Sequence, residues 1–200
     1  MASESNDPEV STQESPKLGL GAWKFVLLAL VIIIGAFAIF VAMQPSDFRV
    51  TRSETIAAPP ADVFPHVNDL HKWEAWSPWA KRDPDAKNTY AGAEAGEGAV
   101  FEWDGNDDIG AGRMTIAESR PAEYIKIDLD FLRPFEASNT SEFTFEPQGD
   151  QTVVTWSVYG PQGFIEKAVG LFIDFDEMLG NDFEAGLASM KSVVEGQGGS

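Results

Sequence analysis

A chain of 200 residues with a formal net charge of −18 and no cysteine has room for one ordinary domain and a short appendage. The missing thiols exclude disulfides, thiolate nucleophiles, zinc–thiolate sites and iron–sulfur clusters. Only Glu4, Asp7, Glu9 and Glu14 precede the first apolar run, so most of the negative charge lies on the C-terminal side of that run; such a surface repels phosphate backbones and argues against nucleic-acid binding.

Met1 to Pro16 is rich in Ser, Glu, Asp and Pro, and the composition predicts a disordered tail, residues 1–22. From Phe25 to Met43 the chain reads FVLLALVIIIGAFAIFVAM without a charge, about 28 Å of helix, close to the thickness of a hydrocarbon core. Trp23 and Lys24 stand at its start, where an aromatic ring and a snorkelling ammonium belong. Residues 23–44 are therefore expected to form one transmembrane helix, with the lipid bilayer as partner and the cell membrane as location. A cleaved signal sequence competes, because Ala36-Phe37-Ala38 resembles a small-residue cleavage site. Against it, Ile39-Phe40-Val41 continues the apolar run and the leading tail is acidic. Lys17 and Lys24 on one side balance Arg49 and Arg52 on the other; the position of Lys24 favours an extracytoplasmic domain.

Beyond the anchor, Arg49–Ile56 alternates as an edge-type strand, Ala57-Ala58-Pro59-Pro60 breaks it, and Pro60–Phe64 opens a short helix with proline in its first turn. His66–Trp79 reads as a second short helical or turn segment. Strand patterns succeed one another at Asn88–Ala91, Ala99–Trp103, Arg113–Glu118, Tyr124–Phe131, Glu136–Glu146 and Thr152–Tyr159. In Tyr124–Phe131, Ile125, Ile127, Leu129 and Phe131 alternate with Lys126, Asp128 and Asp130, which predicts a sheet with one dry face and one wet face. Gly163–Ile173 carries apolar residues at mixed helical spacings. Phe175–Val194 predicts a long helix with Phe175, Met178, Leu179, Asp182, Phe183, Gly186, Leu187 and Met190 on one broad stripe. An antiparallel sheet whose dry face is covered by one long helix is an α+β architecture, over residues 48–196, with 197–200 a frayed tail.

Ala57-Ala58-Pro59-Pro60-Ala61-Asp62-Val63-Phe64, then Asn68-Asp69-Leu70-His71-Lys72-Trp73-Glu74-Ala75-Trp76-Ser77-Pro78-Trp79, resembles the opening of the SRPBCC proteins, the START-related helix-grip superfamily, in its polyketide cyclase/dehydrase and lipid transport branch. Gly98–Trp103, Gly110–Met114 and Phe143–Pro147 fit the same branch. The resemblance spans roughly Arg49–Glu195. It implies a helix-grip fold, with a curved antiparallel sheet wrapped around the C-terminal helix and a deep pocket between them. Pocket walls would come from the inner faces of strands and helix, which points to Trp103, Phe131, Phe143, Phe145, Trp156, Phe175 and Met178 as ligand-binding residues. Trp73–Trp79 would lie near the pocket entrance or pack as a corner.

Chemical motifs are scarce. His66 and His71 lack the neighbours a metal or catalytic role requires. There is no Gly-x-Ser-x-Gly elbow, and the glycine clusters read as hairpin turns. Asp104–Asp108 fails the EF-hand pattern, with Ile109 where Gly is needed and Thr115 where Glu is needed. Glu102 and Arg113 interrupt apolar strands; alternation puts Glu102 on the solvent face, and the reverse assignment would make it a pocket acid. No catalytic residue, cofactor or metal is expected. The leading expectation is a membrane-anchored binder or carrier of a small hydrophobic, lipid-like or polyketide-like ligand. A cyclase/dehydratase-like enzyme using a pocket carboxylate and a membrane interaction module with a vestigial pocket are the alternatives.

Overall fold

The computed structural model describes residues 20–197, so most of the expected N-terminal tail and residues 198–200 lie outside the described residues. Two compact units meet between Met43 and Gln44. The first contains helix α1, Leu20–Ala42, which begins three residues before the predicted span. Ile32, Ile33 and Ile34 point to successive faces and are all exposed. A helix apolar on every side suits lipid, not water, and Trp23–Ala42 has a mean hydropathy of 3.2. Its length and composition fit a membrane span or a signal sequence.

The second unit holds strands β1 (Asp47–Ile56), β2 (Lys87–Gly92), β3 (Ala99–Asp104), β4 (Ala111–Arg120), β5 (Tyr124–Arg133), β6 (Ala137–Gln148) and β7 (Gln151–Pro161). Between β1 and β2 stand α2 (Pro60–Val63), α3 (Pro65–Asn68) and a 3₁₀ turn, Leu70–Ala75; α4 (Phe164–Gly170) and α5 (Phe175–Gln197) close the chain. The strands form one antiparallel sheet in the order β1-β7-β6-β5-β4-β3-β2. Consecutive hairpins build β2 to β7, and β1 returns to pair along β7. Register shifts at Ala111/Gly112 and Ile116/Glu118 interrupt the ladder and bend β4. With α5 laid on its concave side, the curved sheet is the expected α+β helix-grip fold.

The pairing registers carry one side-chain parity across the sheet: Val50, Val158, Ser141, Ile127 and Ile116 stand in one row, with Arg52, Trp156, Phe143 and Ile125 in the next. This is the buried face, as the alternation in β5 and β6 predicts. Every residue of the core cluster lies between Val50 and Val194, so the second unit carries a complete core of its own and is able to fold alone.

Helix α5 lies over β1. Arg52 Nη2 reaches Asp176 Oδ2 at 2.9 Å and its Nε reaches Glu184 Oε1 at 2.9 Å. Further along, Lys191 Nζ meets Glu54 Oε1 at 2.7 Å, and the Ala57 amide donates to Glu195 Oε1 at 2.8 Å. The helix buries Phe183, Leu187, Met190 and Val194, with Leu179 partly buried. That stripe is narrower than the one periodicity predicts: Met178 lies about 100° round the helix from Leu179 and is half exposed, while Asp182 turns to pair with Arg82.

Candidate ligand-binding face

The concave face has two parts. Its centre is filled. Trp156 on β7 stacks on Phe183 of α5 at 4.2 Å and on Phe143 of β6 at 4.9 Å, and Trp73, Trp76 and Trp79 meet it edge-on at 5.7–6.1 Å. The tryptophan-rich segment, expected near an entrance or as a corner, is thus packed into the interior, with Trp73 and Trp76 buried. These indoles tolerate burial because each N–H has an acceptor: Val67 O for Trp73, His66 O for Trp76 and Ser141 Oγ for Trp156, all at 2.9 Å. Of the residues singled out from sequence, Phe143, Phe145 and Trp156 belong to this packed centre.

Towards the free side of the sheet the face opens. Tyr90 on β2, Phe101 and Trp103 on β3, and Phe131 on β5 run in successive ring contact at 5.1, 6.1 and 5.9 Å, and all but Tyr90 are partly buried. The four rings make an aromatic shelf on the concave side. Trp103 is fixed flat by two features. Its Nε1 donates to Ile109 O at 3.0 Å, and its ring lies over Gly112, where a Cβ would collide with the indole. Asn139, next to Leu129 in the register, supplies a polar amide on the same face. Two sequence-named residues, Trp103 and Phe131, stand on the shelf; Phe175 and Met178 stand at the start of α5, with Phe175 against Gly170. Phe101 and Tyr90 are absent from the sequence-named set, although Phe101 is reached by alternation with Trp103, and Tyr90 by the β2–β3 register.

The carboxylates of the neighbouring strands point the other way. Glu102 pairs with Arg113 on the convex face, and Asp128, Asp130 and Glu142 share that parity. Glu142 accepts hydrogen bonds from the Tyr124 and Tyr159 hydroxyls, each at 2.7 Å, and lies 3.7 Å from Arg49. Partial burial pushes its pKa up, but the two phenol hydrogen bonds and Arg49 outweigh that and hold it below the usual value. Burial first, and then the same carboxylate, raises the pKa of Tyr124. His66 is buried with no partner at Nδ1; burial, and secondarily Lys72, lowers its pKa. The exposed His71 stacks on Tyr90 at 4.0 Å and meets Asp69 at 3.0 Å. Among the described residues no cluster of three or more His, Asp or Glu is arranged to hold a metal ion.

Two recesses border this region. One of about 160 Å³ is lined by Leu70, His71, residues 90–94, Ala99 and Val100; it is small beside the roughly 300–1,000 Å³ of ordinary ligand sites. Another, of about 600 Å³, lies at the end of the sheet where β1, β5, β6 and β7 meet, among Asp47, Asp128, Asp130, Ser138, Asn139 and Tyr159.

A sheet gripping a C-terminal helix, with an aromatic concave face, defines the helix-grip class of START-like domains. The chain belongs to the family described as polyketide cyclase / dehydrase and lipid transport, whose model matches residues 47–195. Solved structures share the fold at low identity. A Staphylococcus aureus protein of unknown function superposes with a TM-score of 0.58 at 14% identity, covering 77% of this chain and 97% of that one. Truncated norcoclaurine synthase from Thalictrum flavum gives 0.54 at 12%, covering 76% and 96%. The di-domain ARO/CYC StfQ of the steffimycin biosynthetic pathway gives 0.56 at 14%, covering 78% of this chain and 53% of that one. No curated protein matches by sequence.

Proposed function

We propose that this protein is a membrane-anchored binder or carrier of a small, uncharged hydrophobic molecule, held on the concave face against Trp103 and Phe131. Helix α1 is the anchor, and the folded domain stands on the extracytoplasmic side. Phe143, Phe145 and Trp156 form the packed core that backs the shelf without touching the ligand, and Phe175 and Met178 edge the opening. The observation that carries this reading is the aromatic shelf: rings on three strands, partly open, with Trp103 fixed in place before any ligand arrives. Pre-organisation of this kind lowers the ordering cost of binding. The family supports a hydrophobic ligand, and the acidic surface disfavours an anionic one.

A cyclase/dehydratase-like enzyme using a pocket carboxylate needs an acid among the shelf rings. Here the acids Glu102, Asp128, Asp130 and Glu142 point away from them, so binding is the better-supported reading. An interaction module finds support in the filled centre of the fold and in exposed Phe135, Phe164 and Phe172.

Native mass spectrometry of residues 44–200, offered naphthol and monoolein as neutral aromatic and lipid probes, tests the proposal. Loss of the Trp103 side chain removes contact worth about 2 kcal/mol at roughly 25 cal/mol per Å², or about 30-fold in Kd. The expected result is retention of a probe by the native domain and loss of that retention in Trp103→Ala. An unchanged mass with every probe overturns the binder reading and leaves the interaction module.

A further inference from the structure

One end of the sheet carries an apolar rim that neither the core nor the shelf absorbs. The pairing registers bring the start of β1, the end of β7 and the β5–β6 turn to this end, where Asp47 pairs with Pro161 and Phe131 with Ala137. Phe135, in that turn, is 79% exposed. Helix α4 comes directly after β7, and Phe164, Ile165, Phe172 and Ile173 in and after it are 52%, 72%, 80% and 45% exposed. Five large apolar side chains in water at one end of a domain are a surface awaiting an occupant.

The chain itself says which occupant. The apolar helix ends at Ala42 and β1 begins at Asp47, at this same end of the sheet. If that helix crosses a bilayer, the short connection reaches no more than about 18 Å. The tether therefore holds this end, and not the opposite one, at the lipid surface. The opposite end of the sheet carries the β6–β7 turn at Gly149 and Asp150.

We infer that Phe135, Phe164, Ile165, Phe172 and Ile173 rest in the lipid interface, so that the domain docks on the bilayer by the end that carries Trp103 and Phe131. The inference rests on the anchor reading of α1. Docking in this way brings the concave face to the source of a hydrophobic ligand. Acids accompany the rim, namely Asp47, Glu136, Glu166, Asp174, Asp176 and Glu177, against Arg49, Arg133 and Lys167. Docking is therefore stronger on zwitterionic than on anionic lipid, the reverse of a polybasic surface.

The lack of cysteine allows a direct test on the full-length protein in liposomes. Single variants Ile165→Cys, Phe172→Cys and Phe135→Cys carry an environment-sensitive fluorophore, with Asp150→Cys as the far-end control, and the lipids carry a quencher at shallow depth. Insertion of α1 is read separately by resistance to alkaline extraction. The expected result is an inserted protein with rim labels quenched about twofold or more over the Asp150 label, less so when phosphatidylserine is added. An inserted protein whose rim labels behave like the Asp150 label overturns docking and leaves the anchor standing. Rim labels shielded from water yet untouched by the lipid quencher overturn it in favour of a protein partner. Release of the protein by alkali overturns the anchor, and docking with it.

Discussion

Gly112 is where the proposed site is most sensitive to a single methyl group. Its φ is not in the left-handed region, so alanine is acceptable to the backbone and any effect comes from space. A Cβ there meets the Trp103 ring and approaches the Asp130 carbonyl oxygen at 2.5 Å. Gly112→Ala must therefore lift the indole or spread β4 from β5. Overpacking of this kind costs about 1–3 kcal/mol. For a domain of this size that is a fall in Tm of about 2–4 °C per kcal/mol, centred near 6 °C. Trp103→Ala removes the ring and opens space for the methyl, so the double variant should be less destabilised than the two singles together, by at least about 1 kcal/mol. The remaining cost reflects the carbonyl, which does not move with the ring. Urea unfolding of the four proteins closes the cycle. Additivity within about 0.5 kcal/mol, or a neutral Gly112→Ala, refutes the claim that the glycine exists to seat the indole.

Other outcomes are set by the same packing and charge arrangement. His66 has a folded pKa below its ordinary 6.5, so the unfolded chain binds the proton first. Stability should be complete above that pH and decline as pH falls below it, whereas His66→Leu should hold its Tm down to the carboxylate range. Trp156→Leu removes the ring on which Phe143 and Phe183 stack; a loss of about 3 kcal/mol in denaturant unfolding is expected, at the low end for aromatic truncation because leucine refills part of the space. Arg52→Met severs α5 from β1 at Asp176 and Glu184, and hydrogen exchange should accelerate over residues 175–184 while the sheet stays protected. Glu142→Gln should bring the Tyr124 and Tyr159 ionisations down towards the ordinary phenol range in an ultraviolet titration, at a cost of about 1 kcal/mol in stability.

Much of the architecture is legible in period alone. The alternation in Tyr124–Phe131 and in Phe143–Phe145 assigns the dry face of β5 and β6, and the 3.6 period from Phe183 to Met190 assigns the gripping side of α5. Strand ends shift by a residue or two because pairing partners, not local composition, decide where a ladder stops. The two-residue extension of β1 back to Asp47 is fixed by Pro161 opposite it. What sequence could not supply is the division of the concave face. Whether Trp73 and Trp76 border a pocket or fill it depends on acceptors at Val67 and His66, which only a folded turn brings within reach of the indole nitrogens. The shelf is likewise assembled across β2, β3 and β5, so Tyr90 enters it through register. Met178 shows the reverse case: an apolar residue beside the stripe reads as part of it until the helix is docked.

The most direct test of the binding face uses the five indole N–H resonances of residues 44–200, Trp73, Trp76, Trp79, Trp103 and Trp156. Titration with a retained neutral probe, monitored by two-dimensional NMR, separates the shelf from the packed centre. The expected result is that the Trp103 indole shifts saturably with the probe. Trp73, Trp76 and Trp156, bonded inside the core, should hold their positions. Saturable shifts at the core indoles with Trp103 unmoved would place the ligand in the packed centre and contradict the shelf as the binding site.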